Sequence, residues 1–405
     1  MKPRDVALES LQTTADARRL AVAQRSRREG TALCLSGGGY RAALFHLGAL
    51  LRLHEAGTLH DIRLLSSVSG GSIASAWLLT RFRQQDRAFA DWCRAIDFKA
   101  EVVEAFRAVP SRDLRTLPVL LTLPFNWAMP GPRVRMLQRS YRDIFGELPI
   151  AQLPKQPQFV FCATDITFGV NWVFSRERVG DYLAGYLRNH RATLAEAVAA
   201  SSSFPPIFGP MRIRASAADF RRGGYRGPDA DALREQIQLS DGGVYDNLAM
   251  EPSLHRYSTL LVSDAGAPFA FEAGRSWFFR LRRYTDVVGN QARSLRKRMF
   301  FALRGYNIYE GAYWGLNGAS APALDGYPAD LVQDVIGRCR TDLDAFSPAE
   351  FAVLVNHGYW MCANAMRDPL GTDSAAPAWP YPEFSAPERV RRAMRNSHRR
   401  FFRGI

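Results

Sequence analysis

The chain has 405 residues, 47% hydrophobic and 23% charged, with five cysteines and a formal net charge of +14. That length exceeds what one compact core usually holds, so one large domain with appendages or two domains are expected, and the composition excludes global disorder. The cysteines (Cys34, Cys93, Cys162, Cys339 and Cys362) are scattered, odd in number and without a CxxC pair. They indicate neither a disulfide framework nor a zinc ribbon, and favour a reducing, cytoplasmic setting.

Residues 1–30 carry charges throughout and read as an N-terminal helical extension, with no apolar stretch that would mark an export signal. Nowhere is an uninterrupted apolar run long enough to suggest a membrane span. Thr31–Leu35 is a short apolar run stopped by Ser36-Gly37-Gly38-Gly39, after which Leu44, Leu47 and Leu51 share one helical face up to Gly57. The same strand, turn and helix unit returns at once as Ile62–Val68, Ser69-Gly70-Gly71 and Ser72–Phe82. Residues 117–132, broken by four prolines, read as a loop. Phe159–Ala163, Gln236–Ser240 and Thr259–Ser263 are further strand signals, and the alternation predicts an α/β sheet. Beyond residue 272 the strand signals fade, and helical patterns such as Pro348–Met366 dominate a basic region over 273–405.

Ligands of such sheets sit at the carboxyl ends of strands, and three glycine-rich turns fall at such ends. In the first, Gly37-Gly38-Gly39-Tyr40-Arg41-Ala42 loosely fits a dinucleotide pattern, but the next strand ends in Ser67-Val68-Ser69 and not in an acid for the ribose. Three glycines opening a helix also let backbone N–H groups converge on an anion or oxyanion, while a turn that merely permits close packing is equally compatible. In the second, Ser67-Val68-Ser69-Gly70-Gly71 has the placement of a nucleophile elbow, with Ser67 where the first glycine of GxSxG stands. Ser69 at its apex is either the nucleophile or a helix cap. In the third, Asp241-Gly242-Gly243-Val244-Tyr245-Asp246-Asn247 puts a carboxylate in reach of a serine proton or makes an ordinary Asp-Gly turn.

Together, in this order, the three turns resemble the patatin-like phospholipase family, whose signatures are G-G-G-x-[RK], GxSxG and D-G-[GA]. The glycine loop is similar to that of cytosolic phospholipase A2. Two further stretches also look like the family: Ala163-Thr164-Asp165 followed by Gly169, and Ala200-Ser201-Ser202-Ser203-Phe204-Pro205-Pro206. The resemblance covers roughly residues 31–265 and implies a three-layer α/β/α sheet in a catalytic domain over 31–272, followed by the helical C-terminal region. It implies a lipid acyl hydrolase of phospholipase A type with a Ser69–Asp241 dyad that requires neither histidine nor calcium, so no cofactor or metal is expected. Gly37, Gly38, Gly39 and Gly70 would supply the oxyanion hole. Arg41 would meet a lipid phosphate or anchor the loop.

Two other readings remain: an inactive membrane-binding protein of the same fold, and a Ser-His-Asp esterase. For the latter, His255, His357 and His398 follow Asp241 but lack a strand-then-loop context. The expected partner is a phospholipid or other acyl ester. Leu120, Leu121, Phe125 and Trp127 would line a hydrophobic lip or cover the site. Residues 275–304 hold nine Lys and Arg against Asp286, and residues 388–405 hold seven Arg against Glu388. The first stretch interleaves these charges with aromatic residues, which suits peripheral contact with an anionic membrane or a solvated helical face. No nucleic-acid reading motif accompanies it, so nucleic acid is not an expected partner.

Overall fold

A computed structural model describes residues 29–398 apart from 84–86, 111–130, 206, 255, 270–276, 321–324 and 368–375. The elements that position the site are, in chain order, β1 (Thr31–Leu35), α1 (Gly39–Glu55), β2 (Ile62–Ser67), α2 (Gly70–Arg83), α3 (Gly131–Phe145), β3 (Gln158–Asp165), β4 (Val170–Ser175), β5 (Val179–Asp181), β6 (Gly185–Leu187), α4 (Leu194–Ser201), β7 (Met211–Arg212), β8 (Phe220–Arg221), β9 (Gln238–Asp241), β10 (Thr259–Asp264), α5 (Trp277–Gly305), β11 (Glu310–Gly315) and α6 (Pro348–Met366). They build one mixed sheet in the order β11-β10-β1-β2-β3-β4-β5-β6-β8. β11, β10, β1, β2 and β3 run parallel, whereas β4, β5, β6 and β8 continue antiparallel.

The period of two along a strand divides the core between the faces of this sheet. Leu33 and Leu35 of β1 pack with α1, α2, α4 and α6 in the larger cluster. Cys34 between them points the other way, toward Leu248, Met250 and Phe300 of α5. Helices thus cover both faces and the arrangement is a three-layer α/β/α sandwich. Four of the apolar runs read from sequence are the parallel strands β1, β2, β3 and β10, buried on both faces as such strands require, while the fifth, Gln236–Ser240, falls on β9, which pairs antiparallel with β3.

Two differences from the sequence reading concern the C-terminal half and the proline-rich segment. The region expected to be mainly helical also supplies β11, which extends the sheet beyond β10. Its sequence, Glu-Gly-Ala-Tyr-Trp-Gly, carries no alternation and two glycines, so pairing and not propensity makes it a strand. Residues 111–130 lie outside the described residues, and with them the proposed lip at Leu120, Leu121, Phe125 and Trp127. Gly131, which the loop reading included, already opens α3.

The C-terminal region also packs into the first βα unit through α6. A side chain on Gly48 of α1 would overlap the Val355 carbonyl, and one on Gly358 of α6 would overlap the Phe45 carbonyl. The two helices therefore touch backbone to backbone at a reciprocal pair of glycines. Helix α6 starts cleanly because Ser347 and Glu350 form a capping box, with Pro348 in the first turn. Gly358→Ala must push the helices apart, and is expected to lower stability by at least about 1–3 kcal/mol in urea unfolding. Gly289→Ala on α5, where a methyl meets nothing within 4 Å, is the control and should be neutral or stabilising.

Candidate active site

Strand β3 has two edges, and one is taken along its length by β4. The other is shared. β2 pairs with it in parallel and ends with Ser67 opposite Phe161, and β9 then pairs antiparallel with Asp241 opposite Ala163. The two chain ends meet across a gap of about 7 Å, two residues of strand. This brings the turn after β2, which carries Ser69, against the turn after β9, which begins at Asp241.

Ser69 sits in the left-handed region with φ of 51°, the only non-glycine residue of its turn to do so. Such a conformation costs about 1–3 kcal/mol and persists where its surroundings hold it. They hold it here: the Ser69 N–H donates to Ser201 Oγ at 2.9 Å, and Ser201 Oγ donates to the Cys162 carbonyl of β3 at 2.6 Å. Ser72 Oγ lies 2.9 Å from the same Ser201 hydroxyl. The Ser69 carbonyl accepts from Ile73, so α2 starts directly beneath the apex. The sequence reading flagged the stretch containing Ser201 without giving the residue a role, because only the fold shows which backbone group it meets.

Asp241 is buried. Its N–H donates to Ser203 O and its carbonyl accepts from Thr164 Oγ1, which fixes the backbone to α4 and β3. Oδ1 accepts the Gly243 N–H at 2.7 Å, whereas the buried Oδ2 has no hydrogen-bond partner among the described residues. Burial pushes the carboxyl up to about 6, against the opposing pull of the Gly243 N–H and the Ser69 hydroxyl.

In the glycine loop Gly38 and Gly39 adopt φ of 144° and 62°, which admits glycine alone without strain. A side chain on Gly70 would overlap the Gly39 carbonyl, so the loop and the Ser69 turn are in van der Waals contact. The four glycines expected to face an oxyanion differ in what their N–H groups do. That of Gly37 donates to the Asn247 carbonyl at 3.1 Å, while those of Gly38, Gly39 and Gly70 have no protein acceptor among the described residues. Asn247 itself is a residue to which the sequence reading assigned nothing. Its side-chain Oδ1 lies where a methyl on either Gly37 or Gly243 would stand, so it wedges the first and third turns together.

Arg41 does not face the site, which corrects the expectation that it meets substrate. Its side chain is buried, and its guanidinium donates to the carbonyls of Cys339 at 2.9 Å and Ala265 at 2.8 Å. It anchors the loop to the end of β10 and to the C-terminal region. The Tyr40 N–H does the same through Asp342 O.

None of the described histidines hydrogen-bonds to Ser69 or Asp241. His46 on α1 bridges β1 and β10: Nε2–H donates to Ser36 O at 2.9 Å and Nδ1 accepts from Ser263 Oγ at 2.8 Å. His357 donates from Nε2 to Leu316 O at 2.7 Å. Burial drops both to about 4, so both are neutral structural groups at pH 7. His398 is exposed, and His255 lies outside the described residues. Asp165, in the other flagged stretch, faces a second buried carboxyl, Asp181. Burial, with the Asp165 charge behind it, pushes the Asp181 carboxyl up. Among the described residues no group of three or more His, Cys, Asp or Glu is placed to hold a metal ion.

The patatin-like phospholipase family model matches residues 33–254, which contain all three turns. The chain belongs to the patatin-like phospholipase family. That membership places it among lipid acyl hydrolases. No curated protein matches the chain in sequence. Human GIVD cytosolic phospholipase A2 is similar in structure, with a TM-score of 0.49 and 12% identity over 98% of this chain and 65% of that one. VipD from Legionella pneumophila is similar with a TM-score of 0.37 and 14% identity over 85% and 67%. The chain spans about two thirds of the length of either, and likenesses this distant add nothing to the family assignment.

The raised Asp241 carboxyl has a consequence for stability. Its folded-state value of about 6 exceeds the unfolded 3.8, so its contribution is fully present below pH 3.8 and is lost as pH rises through about 6. At pH 8 holding the charge buried costs about 3 kcal/mol. Asp241→Asn keeps an acceptor for Gly243 without the charge, and should melt higher than wild type at pH 8. The gain should shrink toward pH 4. A lower melting temperature at pH 8 would contradict this account of the site.

Proposed function

We propose that the protein cleaves fatty acyl esters of phospholipids or related lipids, in the manner of a phospholipase A, with Ser69 as nucleophile and Asp241 as its base. The observation that carries this is the Ser69 apex, held in a left-handed conformation at a helix start beside a buried carboxyl whose Oδ2 is unpaired. Asp241 takes the proton of Ser69 Oγ as Oγ bonds to the ester carbonyl carbon, and the N–H groups of Gly38, Gly39 and Gly70 receive the oxyanion. The intermediate collapses to an acyl-serine, the carbon–oxygen bond to the alcohol breaks, and Asp241 returns its proton to that alcohol. Water repeats the cycle with Asp241 as base, releasing the fatty acid and restoring Ser69. A carboxyl near 6 suits the task, being ionised at pH 7 yet more basic than an exposed aspartate. On this reading the enzyme is cytoplasmic and peripheral, and takes its substrate from an anionic membrane surface. No helix among the described residues is long and apolar enough to cross a membrane.

A fluorophosphonate probe should label Ser69, and labelling should vanish in Ser69→Ala. Labelling that survives in Ser69→Ala moves the nucleophile elsewhere. A folded wild type that never labels or turns over favours the inactive membrane-binding alternative. With a soluble short-chain ester, kcat/KM should rise with pH and be half-maximal near 6, since Asp241 must be ionised to accept the proton. The same activity should persist in EDTA. Loss in chelator with recovery on added Ca²⁺ would overturn the dyad.

A further inference from the structure

Several of the large hydrophobic side chains left exposed among the described residues lie on α5 and on the turns that meet Asp241. Tyr284, Val288 and Leu295 of α5 are 65%, 69% and 59% exposed, and Phe204 and Val244, on the turns flanking Asp241, are 58% and 50% exposed. Tyr284, Val288 and Leu295 follow one another at four and seven residues, so they form one stripe along the helix. Gln291 lies on the same stripe, and Arg280 and Arg298, both exposed, stand at its two ends.

The opposite side of α5 grips the catalytic turns. Arg296 pairs with the buried Asp246 at 3.1 Å and lies over the Tyr245 ring, next to Val244. Arg293 donates to Ala267 O at 2.9 Å beside Asp264 at the end of β10. Lys297 lies over the Tyr313 ring. Arg293 and Arg296 are therefore turned inward and serve the fold, while Lys297 stays exposed beside Tyr313. Arg280 and Arg298, which face solvent, frame an apolar stripe on the other side of the helix.

We propose that this outward face of α5, with Phe204 and Val244, is the surface by which the protein docks on an anionic lipid bilayer and presents the Ser69 turn to it. The proposal rests on the acyl-hydrolase reading for its substrate, and adds which surface meets the lipid. Charge decides between occupants. A second copy paired through this stripe would set arginine against arginine, Arg280 on Arg298 if antiparallel and like on like if parallel. An anionic headgroup layer complements both ends while the acyl boundary takes the apolar middle.

The test uses the full chain carrying Ser69→Ala, so binding is read without turnover, against phosphatidylcholine vesicles with and without phosphatidylserine. The triple variant Tyr284→Ser, Val288→Ser, Leu295→Ser should lower the vesicle partition constant at least about tenfold. Arg280→Gln with Arg298→Gln should lower it about thirtyfold on the phosphatidylserine vesicles alone, with the difference fading at high salt. Placed in the otherwise wild-type chain, both sets of substitutions should leave turnover of a soluble short-chain ester unchanged. Vesicle binding that survives the triple variant overturns the proposal, as does equal loss of soluble-ester turnover, which would make the stripe structural. A wild type that is dimeric by light scattering and becomes monomeric in the triple variant assigns the stripe to a second copy and also overturns it. Failure of the dyad would appear instead as absent ester turnover by wild type, with this vesicle result intact.

Discussion

One edge of β3 is too long for β2 and is finished by β9. The arrangement of the candidate site follows from that division. Because β2 arrives parallel and β9 antiparallel, both strands leave the sheet at the same point on its edge, and the turn of each is forced against the other. Residues 172 positions apart in the chain are thereby held together by main-chain pairing, without any hydrogen bond between their side chains being needed to keep them there. The third partner, the glycine loop, comes from β1 on the far side of β2 and is locked in by Asn247, whose carbonyl and side chain bridge it to the β9 turn.

Such a site is built against its own stability. A left-handed serine, a carboxyl kept from water and amide groups without acceptors each raise the free energy of the folded chain. The compensation is visible around them: hydroxyl bonds of Ser201 to the backbone of the Ser69 turn and of β3, a neutral histidine tying β1 to β10, and a large apolar core on the α1 face. These supports are short polar side chains at buried positions, whose value lies in geometry.

The parallel strands β1, β2, β3 and β10 and the helices after the first two turns were legible because both leave strong local signals, continuous apolar runs and a helical apolar period, whereas the parallel β11 left none. Helix α6 was legible to its end residues, since Ser347, Pro348 and Glu350 announce its start. The antiparallel strands β4, β5, β6 and β8 were not, because β5, β6 and β8 are only two or three residues long, too short for a period of two to register, and exist by pairing with one another and with β4. At the site, Ser69 and Asp241 could be singled out since their glycine neighbours are unusual. Ser201 and Asn247 were hidden, and Arg41 stayed divided between loop anchor and substrate contact, because a serine, an asparagine or an arginine looks the same whether it holds a carbonyl or faces water. The basic stretch on α5 shows the same limit: counting charges located the helix, but not which of them point into the protein.

The anchoring of the glycine loop bears on when the molecule becomes complete as it is made. Arg41 and Tyr40 emerge early, yet the carbonyls they bind, those of Cys339 and Asp342, lie some three hundred residues further along. A nascent chain that has already exposed Ser69 and Asp241 still lacks the clamp on the loop between them, as well as the Gly358 face on which α1 rests. The order of synthesis therefore delays completion of the loop's anchorage until residues as far along as Asp342 and Gly358 have emerged.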